Sequence, residues 1–175
     1  KNKREFVFGA RDLWDEVEEK SRAVVNDKWV YIKNYKPEIP YDAHQAYLEF
    51  YRPAVHVMRE LYKQNKLNDN QKPFFESRKP EEELYDMEID PFQLHNLAKS
   101  EEHKKIIKRL RKKTDQFEKM MKPVSNVYVP NSVPGKPLMD WLKKHKPNAY
   151  EKMQSGVEIG FHKYKKEYSL YLKNK

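Results

Sequence analysis

The chain has 175 residues, 36 Lys and Arg against 27 Asp and Glu, a formal net charge of +9 and no cysteine. One domain with a modest core is therefore expected, and disulfides, thiolate metal sites and a Cys nucleophile are excluded. No run of about 18 apolar residues offers a membrane span, while the basic balance suits polyanions in general: nucleic acid, an anionic membrane surface or a sulfated polysaccharide.

The charged start, Lys1 to Glu5, leads into a strand-like segment with no apolar signal-peptide stretch, so the chain reads as starting mid-protein. Residues 4–10 are rich in Phe and Val and predict a strand, with a polar turn expected over residues 11–16. The apolar bursts Ala23-Val24-Val25 and Trp29-Val30-Tyr31-Ile32 flank Asn26-Asp27, a hairpin signal. Residues 36–43, with Pro37 and Pro40, are expected to be irregular. From His44 to Asn65 the apolar positions recur at three- and four-residue steps, predicting an amphipathic helix that Pro53 kinks or restarts. A polar loop follows, then a short strand at Glu83–Met87 closed by Asp90-Pro91. Ser100 is placed to cap a helix running to about Met121, stopped before Pro123. Residues 138–146 and 148–172 predict two short basic helices, the second weakened by Gly156 and Gly160.

This order predicts an α+β fold: a small antiparallel β-sheet packed against the amphipathic helix at 100–121, with additional helices. The expected division is an α+β subdomain over 1–122, a Pro-rich linker or strap over 123–137, and a basic helical extension over 138–175. The other face or edge of the sheet is expected to rest on a neighbouring domain.

No catalytic constellation is present in the sequence: no G-x-S-x-G, P-loop, H-E-x-x-H or G-x-G-x-x-G. The six histidines form no i,i+4 metal pair, and the acidic pairs lie beside Lys or Arg as salt-bridged faces. The basic stretch Lys104 to Lys113 is the best nucleic-acid candidate, but its interleaved Ile and Leu are needed for a core face. No RNP, KH or zinc-finger pattern accompanies it, so nucleic acid is not expected as a partner.

The stretch from Arg78 to Ala98 resembles the signature near the carboxyl end of formylglycine-dependent (type I) sulfatases, roughly P-x-E-L-Y-D-L-x-x-D-P-x-E-x-x-N-L-A. It matches at Glu83, Leu84, Tyr85, Asp86, Asp90, Pro91, Asn96, Leu97 and Ala98, with Gln93 in place of the usual Glu. Phe8-Gly9-Ala10-Arg11-Asp12 with Asp15-Glu16 resembles the F-x-A-R-D-x-x-D-E segment of the same family. Ser21 through Pro37 resembles R-A-V-R-T-x-x-Y-K-Y-I-R-N-x-x-P, with Val25 and Val30 where Arg and Lys are usual. Tyr41 and His44 resemble the P-Y-x-x-H segment of a bacterial branch, the arylsulfatase and heparan N-sulfatase-like one. The resemblance covers about residues 4–121.

That resemblance implies the carboxyl-terminal subdomain of a sulfatase of the alkaline-phosphatase-like superfamily, hydrolysing sulfate esters or sulfamates of carbohydrates. The C/S-x-P-x-R nucleophile motif is absent from this sequence, so the chain itself carries no catalytic residue, metal ligand or cofactor. Formylglycine and calcium are expected in an amino-terminal catalytic domain, the implied partner. The substrate-facing residues implied are Arg11, Asp12 and His44. Arg11 would donate to a sulfate or carboxylate, Asp12 would accept from a hydroxyl or orient Arg11, and His44 would donate to sulfate or hydroxyl. Arg11 and Asp12 equally fit an internal ion pair closing the turn. The parent enzyme is expected to be periplasmic or secreted, with a sulfated carbohydrate substrate and no membrane partner. Two other readings remain: a non-catalytic polyanion-binding module, and the same subdomain of a phosphonate or phosphoester hydrolase.

Overall fold

Strands β1 (Val7–Trp14), β2 (Val17–Val25), β3 (Trp29–Asn34) and β4 (Glu82–Asp86) form one sheet in that order in the computed structural model, which describes residues 4–15, 17–121 and 135–175. The β2–β3 and β3–β4 pairs are antiparallel. The predicted hairpin is present, and the Asn26 side-chain oxygen builds its turn by accepting from the amides of Lys28 (3.0 Å) and Trp29 (2.7 Å). β1 differs from expectation. It runs on through Arg11–Trp14, and the chain turns only at Asp15, whose φ is +50°. Pairing with β2 overrides the polar, turn-like composition of that stretch.

Register explains which face meets the helix. Val24 lies opposite Tyr31, and Tyr31 opposite Leu84, so three buried side chains form one row across three strands. Helix α3 (Lys104–Met120) covers that row with Ile107 and Leu110, three residues apart on one face. The next row on the same face is charged: Arg22, Lys33 and Glu82. It meets Glu118, Asp115 and Arg111 respectively, spaced three and four residues apart on α3. An apolar row beside a charge-complementary row sets both the rotation and the register of the helix. Ser100 does not cap it through its side chain; its hydroxyl bonds the His103 ring instead (2.9 Å), and a 3-10 turn over Glu101–His103 precedes α3.

The chain divides into two compact units: Lys1–Leu13, Glu19–Ile39 and Ser77–Val127 form the first, and Trp14–Glu18, Pro40–Glu76 and Tyr128–Lys175 the second. In the second unit the helix restarts at Pro53 as predicted: α1 (Ala46–Tyr51) ends and α2 (Ala54–Lys63) begins across Arg52 and Pro53, because proline cannot donate within a helix. The carboxyl-terminal helices are α4 (Gly135–His145), α5 (Pro147–Gln154) and α6 (Phe161–Lys173). The helix expected over 148–172 is split because Gly156 and Gly160 take left-handed φ of +84° and +80°. Phe50 of α1 packs with Leu138, Trp141, Leu142, Met153 and Tyr168 in one core, so the segment around α1 clusters with these helices and not with the sheet. Most of the expected 123–137 linker lies outside the described residues; Gly135 to Pro137 open α4. The antiparallel sheet and segregated helices make the architecture α+β, and among the described residues no helix is long and apolar enough to cross a membrane.

Candidate functional site

Arg11 and Asp12 are consecutive on β1, so their side chains leave opposite faces of the strand. Arg11 pairs with Glu19 of β2, whose buried carboxylate also takes the ammonium of Lys79. The Arg11 contact is a charge pair without hydrogen-bond alignment at Glu19 Oε1. Asp12 accepts from Arg22 Nη1 at 2.8 Å, and the Arg22 Nε donates to Glu118 at 2.5 Å. Burial works against the Arg22 charge, but the bonds to Asp12 and Glu118 outweigh it and raise its pKa. Each of the two residues is thus tied to β2, and each remains close to half exposed: 47% for Arg11 and 42% for Asp12.

Three of the basic side chains around α3 are similarly engaged. Arg111 forks onto Glu82 with bonds of 2.7 and 2.6 Å, Arg109 pairs with Glu5, and Lys104 pairs with Glu101. These partners are why a cationic helix need not be a phosphate-binding one.

His44 belongs to the second unit, in a segment held by unusual backbone geometry. Its φ is +53°, which a non-glycine residue adopts only under outside constraint. Gly135 supplies part of that constraint: a Cβ there would sit 1.9 Å from the His44 carbonyl oxygen. Just beyond, Gln45 caps α1 by accepting from the Leu48 amide at 2.9 Å. The His44 Nδ1 lies 2.9 Å from Oε1 of Glu49, a carboxylate with no exposed surface.

Arg59 makes that buried carboxylate possible. Its guanidinium bonds Asp42 twice at 2.6 Å and Glu49 at 2.9 and 2.5 Å. Burial alone would raise the Glu49 pKa, but bonds from His44 and Arg59 prevail and hold it down at about 2. Burial opposes the Arg59 charge too, and its two carboxylate partners raise its pKa regardless. His56 completes the cluster. Its Nε2 is 2.7 Å from the Glu49 carbonyl, which only accepts, so Nε2 carries the proton. Its Nδ1 then accepts from Gln154 of α5 at 3.2 Å. His44, Asp42, Glu49 and Arg59 line a cavity of about 410 Å³. Among the described residues no group of three or more His, Asp or Glu could hold a metal ion.

The stretch from Leu84 to Ala98 is fold-forming. The Asp90 carboxylate accepts from the amides of Leu94 (3.0 Å) and His95 (2.8 Å), and those bonds lower its pKa. Asn96 accepts from the amides of Leu84 (3.0 Å) and Ala98 (2.9 Å) and donates to the Glu82 carbonyl (3.0 Å). Leu97 packs on the core beside α3. These bonds turn the chain back along β4 and aim it into the helix.

Sequence reading singled out His44 and passed over Glu49, Arg59 and His56. A signal was available. Glu49 stands three residues after Ala46 and beside Phe50, on the buried side of α1, and an acid on an apolar stripe needs a buried cation.

No protein-family model matches the chain. Over 122 residues, 67% of its length, the chain is 39% identical to the ulvan-active sulfatase of Formosa agariphila. It spans only 20% of that relative. Two solved structures, one from Bacteroides thetaiotaomicron and one of a 2-O GAG sulfatase, share 19% identity at a TM-score of 0.39, covering 78% of this chain and 22% of theirs. The chain is therefore homologous in sequence to part of a sulfatase.

Proposed function

We propose that this chain is the carboxyl-terminal part of a formylglycine-dependent sulfatase, of the arylsulfatase and heparan N-sulfatase-like branch, acting on a sulfated polysaccharide. The observation that carries this reading is the 39% identity over 122 residues to an ulvan-active sulfatase, joined to the 83–98 motif. The catalytic domain, with its formylglycine and calcium, is assigned to an amino-terminal partner half. A metal and nucleophile there supply the attack on sulfur; the residues of this chain bind and orient. Arg11 offers its exposed edge to a sulfate or carboxylate, since a guanidinium fork matches either anion. Asp12 accepts from a hydroxyl, and His44 contacts the sugar from its own unit. A polymeric substrate places the parent enzyme in the periplasm or outside the cell.

The test is the parent reading frame. It should encode a C/S-x-P-x-R motif upstream of residue 1, and its product should release inorganic sulfate from ulvan or another sulfated polysaccharide, while these 175 residues alone release none. A frame that closes without that motif would overturn the proposal.

A further inference from the structure

We infer that the cavity beside His44 receives a saccharide unit through its hydroxyl groups, with His44 Nε2 as acceptor and Glu49 as the positioning residue; this rests on the sulfatase reading above. The cavity, about 410 Å³, falls in the roughly 300–1,000 Å³ range of small-molecule pockets. Tyr62, Met139 and Tyr150 give it apolar and aromatic surface, and Lys63, Asp140 and Gln154 give it polar groups. That mixture suits a ring with apolar C–H faces and a polar rim.

Charge decides between sulfate and hydroxyl. Arg59 is spent on Asp42 and Glu49. Lys136 pairs with Asp140 at 3.1 Å, and Lys63 with Glu60 at 3.3 Å. Each cation on the wall already faces an acid, so the cavity has no surplus positive charge to meet a sulfate. Hydroxyl groups are the matching chemistry.

Tautomer decides the role of His44. An ionised carboxylate only accepts, so the Glu49 oxygen at 2.9 Å requires the proton on Nδ1. When the ring is neutral its lone pair is then on Nε2, and no other described residue bonds this side chain. The left-handed φ of His44 and the close seat of Gly135 hold the ring from its backbone, while Glu49, anchored by Arg59, holds it from its tip. A site pre-set on both sides loses little ordering entropy when a ligand enters.

The first measurement is the imidazole nitrogen spectrum of this chain, recorded with the histidines neutral. The expected result is a His44 Nδ1–H tautomer; an Nε2–H tautomer, the form free imidazole side chains favour, would overturn the inference. The second is a titration with ulvan oligosaccharides, native and chemically desulfated, at low and high salt. Both should bind alike and without steep salt dependence, and His44→Ala, at a half-exposed position, should weaken both about tenfold. Binding of the sulfated form alone with steep salt dependence, no binding, or undiminished binding by His44→Ala would each overturn it. Glu49→Gln is read only where its far-UV spectrum matches the wild type, and there it should weaken binding in the same direction. In the parent enzyme, an unchanged KM in His44→Ala would overturn this inference and leave the sulfatase reading standing. A wild-type parent that releases no sulfate from any sulfated polysaccharide would overturn that reading, and this inference with it.

Discussion

Replacing Arg59 by Met tests the buried charge cluster most directly. The wild-type Glu49 carboxyl is held at about 2 against an ordinary 4.5. At about 1.4 kcal/mol per unit, the depressed pKa corresponds to roughly 3 kcal/mol of stability. The group is depressed, so this contribution is present above pH ~4.5 and fades as pH falls toward ~2, with less than half of it left at pH ~3. Arg59→Met leaves a carboxylate with no exposed surface, stripped of its guanidinium and held only by the histidine rings beside it. Breaking such a pair costs about 3–5 kcal/mol at neutral pH. In acid the stranded carboxyl takes up a proton while the wild type loses its own advantage, so the gap narrows. Urea unfolding followed by far-UV circular dichroism from pH 7 to pH 3 measures it. A gap under about 1 kcal/mol at pH 7, or one that stays constant down to pH 3, would refute the reasoning.

Asn96→Ala removes two hydrogen bonds that tie the chain to β4 and a third to the Ala98 amide, and an exposed site of this kind should lose about 1–2 kcal/mol in urea unfolding. Protection of the Leu84 amide from hydrogen exchange should fall with it; an unaltered Leu84 rate would refute the assigned role. Leu110→Ala empties the fully buried centre of the α3–sheet contact and should cost about 2–5 kcal/mol. The same substitution at the exposed Leu170 of α6 should cost far less, and equal losses would contradict the core assignment.

Periodicity made the elements legible. Alternation with an Asn-Asp turn marked β2 and β3, three- and four-residue steps marked α1 to α3, and Pro53 marked the break between helices. These are local signals, set by a few neighbouring residues and the geometry of one strand or one helix turn. The resemblance at 83–98 also needed only the linear order of residues, and the homology agrees with it. The end of β1 was misjudged because polar residues at 11–14 suggest a turn until β2 is there to pair with them.

The candidate site was legible only in part. His44 could be named from its segment, but its orientation depends on Glu49 five residues on, Arg59 ten beyond that, and Gly135 far along the chain. The chain order alone determined the strands, the helices and the kinship with a sulfatase. Tertiary structure decided which acids lose their water and therefore which cations they must hold, because burial and electrostatic partnership arise only when distant segments close around a charge.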